Sequence, residues 1–263
     1  MLTTGQSVVA VIAAVAGALL FMALVNWIWP WERRHQHNEQ IGWQLSVLGT
    51  TYAVILGFML YAVWSAFGEA ESNVEYEAND LVSVFWLADG LPEQQRIDVK
   101  NLARQYAEVV IDQDWPAMYD GRLPNASLAV NAQMWKTLMA VRATSPSETS
   151  AQDHALNELS SLTEHRRTRV LQSLSRLPGV LWFVLIIGGG VTVASSCLFG
   201  SSNVLLHILQ VLAFSLLLAL GLVAIADIHR PFQGSVHISD YPFDRARQNM
   251  QSVLPPVPIA PHQ

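Results

Sequence analysis

The chain has 263 residues, 51% hydrophobic and only 14% charged, whereas about a quarter of the residues in a typical soluble domain are charged. Its net charge of −6 argues against a nucleic-acid partner, which requires a basic face. A single cysteine, Cys197, excludes both a disulfide framework and a thiolate zinc site; it lies in an apolar run and reads as a small buried hydrophobe.

The charges crowd into the middle and the tails and leave long runs with none, as expected of a chain solvated by two media. Residues 8–29 form the first such run, with Asn26 its one clearly polar member. No Lys or Arg precedes it and it is too long for a signal-peptide core, so it reads as a retained span. Ala10, Ala13, Ala14 and Gly17 are small enough to let a neighbouring helix approach. Trp27, Trp29 and Trp31 make an aromatic belt at its end. The short polar stretch that follows holds Arg33, Arg34, His35, His37 and Glu39; such a loop more often faces water than binds a metal.

Residues 43–67 are again uncharged and start on Trp43. About 20 apolar residues at 1.5 Å rise cross roughly 30 Å of hydrocarbon, and only a helix satisfies its own backbone there. This second span is expected to continue as a helix beyond residue 67, because no breaker occurs before Asp89-Gly90-Leu91-Pro92.

Residues 68–177 read as a helical, water-soluble domain. One helix is expected from Pro92, with Ile97, Leu102, Tyr106, Val109 and Val110 on its apolar face, as far as Asp114-Trp115-Pro116. A second, near residues 125–141, carries Leu128, Trp135, Leu138 and Met139. Ser145-Pro146-Ser147-Glu148 is a capping box, and the helix it opens carries Leu156, Leu159, Val170, Leu174 and Leu177.

Residues 179–199 and 204–226 are two further spans separated by a four-residue turn. Gly188-Gly189-Gly190 lies mid-span without a following Lys, so it is a packing feature rather than a phosphate cradle; Gly221 belongs to the same class. His207 and Gln210 share one face and read as polar glue between helices. The tail, residues 228–263, is expected to hold a short helix from Pro242, with Phe243, Ala246, Met250 and Val253 on one face. A Pro-rich end that cannot stay helical follows it. The expected class is therefore all-α: four membrane helices with a helical domain inserted between spans two and three. Seven arginines flank spans three and four (166, 167, 169, 176, 230, 245, 247), against Arg33 and Arg34 between spans one and two. That bias puts both termini and the domain in the cytoplasm, with the spans in the cell membrane.

Chemistry concentrates in one place. Glu69, Glu71, Glu75, Glu77 and Asp80 follow span two, with no Lys or Arg from Gly68 to Gln95. In an oligomer with an axial vestibule each acid would become a ring of carboxylates, which concentrates cations; in isolation the same acids are a solvated helix face. On span two Thr51, Val54, Phe58, Tyr61 and Ser65 share a face that leads to Glu69. They could line a pore narrowed by Val54, Phe58 and Tyr61, or pack on neighbouring spans. No hydrolase, metalloprotease, Walker or Rossmann spacing occurs, so no enzyme activity, cofactor or metal is expected.

Several of these stretches together resemble one family. Residues 50–58 (Thr-Thr-Tyr-Ala-Val-Ile-Leu-Gly-Phe) lead into the acid run, followed by Leu91-Pro92, Tyr106, Asp114-Trp115-Pro116-Ala117-Met118 and Gly121. The chain is similar over essentially its whole length to the bestrophin-like family, a mostly bacterial domain of unknown function. Pro231-Phe232-Gln233-Gly234 after span four resembles the Pro-Phe-Gly stretch of bestrophins themselves. The resemblance implies a homo-oligomeric, pentameric ion channel whose pore is lined by span two and its cytosolic continuation, with lipid and inorganic ions as its partners. The chain departs from bestrophins after that stretch: Ser235-Val236-His237-Ile238-Ser239 stands where they carry calcium-clasping acids, and only Asp240 is acidic. The alternative function is a non-conducting membrane protein whose cytosolic helices bind a partner.

Overall fold

The computed structural model describes residues 4–252; Val253 and the Pro-rich end lie outside them. Among the described residues every regular element is helical. In chain order these are α1 (Thr4–Ile28), α2 (Trp31–Arg34) with a 3-10 turn (His35–His37), α3 (Asn38–Leu87), α4 (Glu93–Val109), α5 (Trp115–Tyr119), α6 (Ala126–Met139), α7 (Pro146–Leu174), α8 (Gly179–Cys197), α9 (Val204–Ile228) and α10 (Tyr241–Gln251). Four are long and apolar enough to cross a membrane: α1, α3, α8 and α9. The shortest, α8, has 19 residues and so spans about 28 Å.

The chain divides into two compact units. The first comprises residues 1–67, 176–230 and 234–237. Here Ala18 and Met22 of α1 pack with Cys197 and Val211, and Val63 of α3 packs with Leu185 and Ile225. Two of the three consecutive glycines face Tyr52. A Cβ on Gly188 would stand 2.9 Å from its ring, and one on Gly189 would stand 2.9 Å from its hydroxyl oxygen. That hydroxyl donates to the Leu185 carbonyl at 2.8 Å. Gly190 and Gly17 meet nothing within 4 Å, and Ala10, Ala13 and Ala14 are exposed within the chain. The packing face of α1 instead runs through Ser7, Ala18 and Met22, one stripe round from the small residues.

The stretch between α1 and α3 is strapped to the α8–α9 turn. Asn38 brackets Gly200, donating to its carbonyl at 2.8 Å and accepting from its N–H at 2.9 Å. Arg34 is fully buried; it donates to the Cys197 carbonyl at 2.9 Å and to the Asn26 side chain. The C-terminal carbonyls of α8 carry the negative end of its dipole, which suits a buried cation.

The second unit comprises residues 68–175, 231–233 and 238–263. Its spine is the second half of α3, where Ala70, Val74, Ala78, Leu81, Val84 and Phe85 form a buried stripe at helical spacing. The helix gives way to a 3-10 turn at Ala88–Gly90, and Pro92 caps α4 rather than opening it. Asp114-Trp115-Pro116 does not stop the next helix. A π turn at Val110–Asp114 carries the chain into α5, and this wider turn accommodates the N–H that Pro116 lacks. The capping box forms: the Glu148 N–H donates to Ser145 Oγ at 3.3 Å, while the Glu148 carboxylate accepts from the Thr144 N–H at 2.7 Å. The Thr144 N–H, and then the Thr144 hydroxyl, hold the Glu148 carboxyl below its ordinary value.

Three of the expected apolar faces are rotated. On α4 the buried side is Val99, Ala103, Tyr106 and Ala107, and Ile97 is exposed. On α6 it is Ser127, Val130, Asn131, Met134 and Leu138, leaving Leu128 and Met139 outside. On α7 Leu159 and Leu162 are followed inward by Arg166 and Arg169, and Leu174 is outside. On α6 and α7 the rotation follows buried polar side chains, with Ser127, Asn131, Arg166 and Arg169 held inside by hydrogen bonds.

Candidate functional site

A buried polar cluster centres on Arg169 and Glu77, both without solvent exposure. The guanidinium forks onto the carboxylate, with Nε 2.7 Å from Oε2 and Nη2 3.0 Å from Oε1. Tyr106 adds its hydroxyl to Oε1 at 2.7 Å. Asp114, likewise buried, lies 3.4 Å from Arg169 Nη2 and accepts from Ser127 Oγ at 2.5 Å and the Ala126 N–H at 2.9 Å. Arg166 Nε donates to Ser127 Oγ at 2.8 Å. The rings of Trp115 and Phe243 lie 5.7 and 5.9 Å from the Arg169 guanidinium carbon. Burial alone would push Arg169 down, but Glu77, with Tyr106 and Asp114, outweighs it and holds the guanidinium above its ordinary value. Burial, then Glu77, pushes the Tyr106 phenol well up. Two carboxylates and two guanidiniums at hydrogen-bonding geometry make a structural knot.

The acid run is thereby divided. Glu77 belongs to the interior rather than to a solvated face. Asp80 lies 2.7 Å from His165 Nδ1; burial raises its carboxyl above the ordinary range, with His165 opposing the shift. Glu75 pairs with Arg245 at 2.6 Å, both partly exposed. Glu69 and Glu71 are exposed.

In the first unit Val54, Phe58 and Tyr61 are 51%, 71% and 71% exposed, Thr51 is exposed and Ser65 half-buried, so among the described residues no other helix of this unit covers the Val54–Phe58–Tyr61 row. A shallow apolar recess of about 540 Å³ runs along Val54, Phe58 and Tyr61 beside Gly57.

After α9, Phe232 is buried with its ring 5.8 Å from Trp115, and the Pro231 carbonyl accepts from the Ile238 N–H at 2.8 Å. Gln233 donates to the Met118 carbonyl at 3.1 Å and lies against Gly121, whose φ of +73° suits glycine. Gly234 needs its glycine too, at φ +90°.

Four helices long and apolar enough to cross a membrane, beside a helical unit tied by a buried ion-pair knot, mark the chain as a membrane protein. Its family follows from sequence: a bestrophin-like domain model matches residues 12–243, and the chain belongs to the bestrophin-like family. The fold agrees. A bacterial bestrophin homolog from Klebsiella pneumoniae, solved with a point mutation, superposes with a TM-score of 0.67 at 13% identity, covering 93% of this chain and 99% of that one. The same homolog solved by zinc phasing gives 0.62 at 12% identity, covering 92% and 96%. A structure described as a membrane protein gives 0.66 at 12% identity, covering 93% and 97%. No curated protein matches the chain.

Proposed function

We propose that this protein is an oligomeric ion channel of bestrophin-like architecture, with a pore lined by the first half of α3 and its acidic continuation, and that it passes cations. The observation that carries this reading is the uncovered face of α3. Thr51, Val54, Phe58 and Tyr61 lie in one exposed helical row that no other described helix of the first unit covers. Around an axis of identical copies, five if the family resemblance extends to subunit count, that row becomes a stack of hydroxyl and apolar rings. The constriction at Val54, Phe58 and Tyr61 gates by dewetting. Glu69 and Glu71 then supply the carboxylate rings that concentrate cations at its mouth.

In this reading the second unit and both termini face the cytoplasm. Arg34, Arg166 and Arg169 are buried. Leaving them out of the flanking-charge count still sets Arg167, Arg176, Arg230, Arg245 and Arg247 against Arg33.

Purified oligomer in planar bilayers tests the proposal through reversal potentials under a salt gradient. The double variant Glu69→Gln/Glu71→Gln is expected to lose most of the cation preference while still conducting. Absence of conductance, or a preference untouched by the double variant, overturns it.

A further inference from the structure

The outer face of α7 serves neither the pore reading nor the ion-pair knot. Ser160, Glu164, Arg167, Leu171 and Leu174 recur every three or four positions, the spacing of one helical stripe, and all five are exposed. Leu171 is 61% and Leu174 43% exposed. Polarity on this stripe changes along the helix rather than around it: a hydroxyl and a carboxylate come first, then a cation, then two leucines. Arg167 is uncommitted. Among the described residues its side chain has no ion pair or hydrogen bond, even with Glu164 three positions before it.

Two observations put the leucines at the level of the membrane surface. Within the second unit α3 and α7 run antiparallel: Asp80 meets His165, Glu77 meets Arg169, and Gly68 and Glu69 share a cleft with Gln172. Gly68 is where the uncharged run 43–67 ends. The helix α7 therefore approaches the bilayer as its numbering rises, and Leu171 and Leu174 stand level with the first turn of α3 outside it. Chain length agrees. From the end of α7 at Leu174 to the start of the α8 span at Gly179 is five positions, at most about 18 Å of chain. Arg167 lies seven residues before Leu174, about 10 Å further out along the axis. The headgroup layer is about 5–8 Å deep on each side of the hydrocarbon, within reach of an arginine stem laid along the helix.

From this order we infer that the last turns of α7 bind an anionic phospholipid, with its phosphate at Arg167 and the edge of its hydrocarbon against Leu171 and Leu174. Exposed leucines cost free energy in water, and burial at the headgroup boundary recovers it. A guanidinium without a counter-charge takes a phosphate in a two-pronged fork. The stripe's acid, Glu164, sits a turn farther from the bilayer than Arg167. Glu69 lines the cleft against Thr168 and Gln172, on a different side of α7 from the stripe. A soluble partner fits less well, because nothing in it would confine apolar contact to the membrane end of the helix. The inference rests on the membrane reading and not on conduction.

Full-length protein in nanodiscs of phosphatidylcholine and phosphatidylglycerol tests it without measuring current, so its outcome is separate from that of the channel proposal. Nitroxide labels on Leu171→Cys, Leu174→Cys and Ser160→Cys report depth through relaxation by lipid-soluble oxygen and by a water-soluble nickel chelate; Cys197 is buried and stays unlabelled. The labels at 171 and 174 are expected to favour oxygen over nickel several-fold more than the label at 160. Native mass spectrometry then counts retained lipid. The parent is expected to retain phosphatidylglycerol over phosphatidylcholine, and Arg167→Gln to cut that preference about fivefold, the effect of one cation at a membrane surface. All four positions are exposed, so the variants should melt with the parent. Equal nickel access at 160, 171 and 174 would mean a solvated face, and exclusion of both reagents would mean cover by a second copy of the chain. Either result, or a lipid preference that Arg167→Gln leaves unchanged, overturns the inference.

Discussion

Replacing Arg169 with methionine should destabilise the second unit. The substitution removes both bonds of the fork, at 2.7 and 3.0 Å, and leaves Glu77 with only the Tyr106 hydroxyl, at zero exposure. Stranding one partner of a buried pair costs about 3–5 kcal/mol. Thermal unfolding of detergent-solubilised protein, followed by circular dichroism, reads this out. At roughly 3 °C per kcal/mol, the deficit against the parent should be about 10 °C. The double variant Arg169→Met/Glu77→Gln, which strands no buried charge, should recover part of that deficit. A single variant melting within about 3 °C of the parent, or a double variant melting no higher than the single one, would refute the argument that this pair is a sealed ion pair.

Two further substitutions test the packing and capping. Gly189→Ala places a methyl 2.9 Å from the Tyr52 hydroxyl oxygen and should cost about 1–3 kcal/mol, partly restored by Tyr52→Phe. Gly190→Ala, which meets nothing within 4 Å, should be neutral or gain up to about 1 kcal/mol from helix propensity; equal melting of the two alanine variants would contradict the close α3–α8 approach. Ser145→Ala removes the acceptor of a 3.3 Å bond at the start of α7 and should cost about 0.5–1 kcal/mol. Faster amide exchange confined to the first turn of α7 is the expected signature, and unchanged exchange there would count against the cap.

What the sequence made legible is what local spacing encodes. The uncharged runs marked α1, α8 and α9, the absence of a breaker carried α3 to Leu87, and four residues from Ser145 to Glu148 announced the start of α7. The ion-pair knot was not legible, because its members lie 29, 92 and 55 positions apart and no local rule joins them. A weaker signal was present. Glu77 falls in register with Val74, Ala78 and Leu81, and Arg166 and Arg169 continue the row of Leu159 and Leu162. Charged residues occupying core positions of an amphipathic helix imply partners inside. Reading apolar periodicity alone passed over them, and put Leu128 and Met139 on the inner face of α6 where Ser127 and Asn131 stand.

The knot also constrains where selectivity can arise. A carboxylate ring acts on passing ions only through charge that faces water and is not cancelled by a neighbour. Glu77 faces Arg169 in a dry interior, Asp80 faces His165, and Glu75 shares its charge with Arg245. Of the five acids that follow the second apolar run, these three are committed to holding the second unit together, and Glu69 and Glu71 keep exposed positions. The acid run is therefore two features in one helix. Under the channel proposal, neutralising its first two members should change ion preference, whereas neutralising Glu77 should change whether the second unit folds.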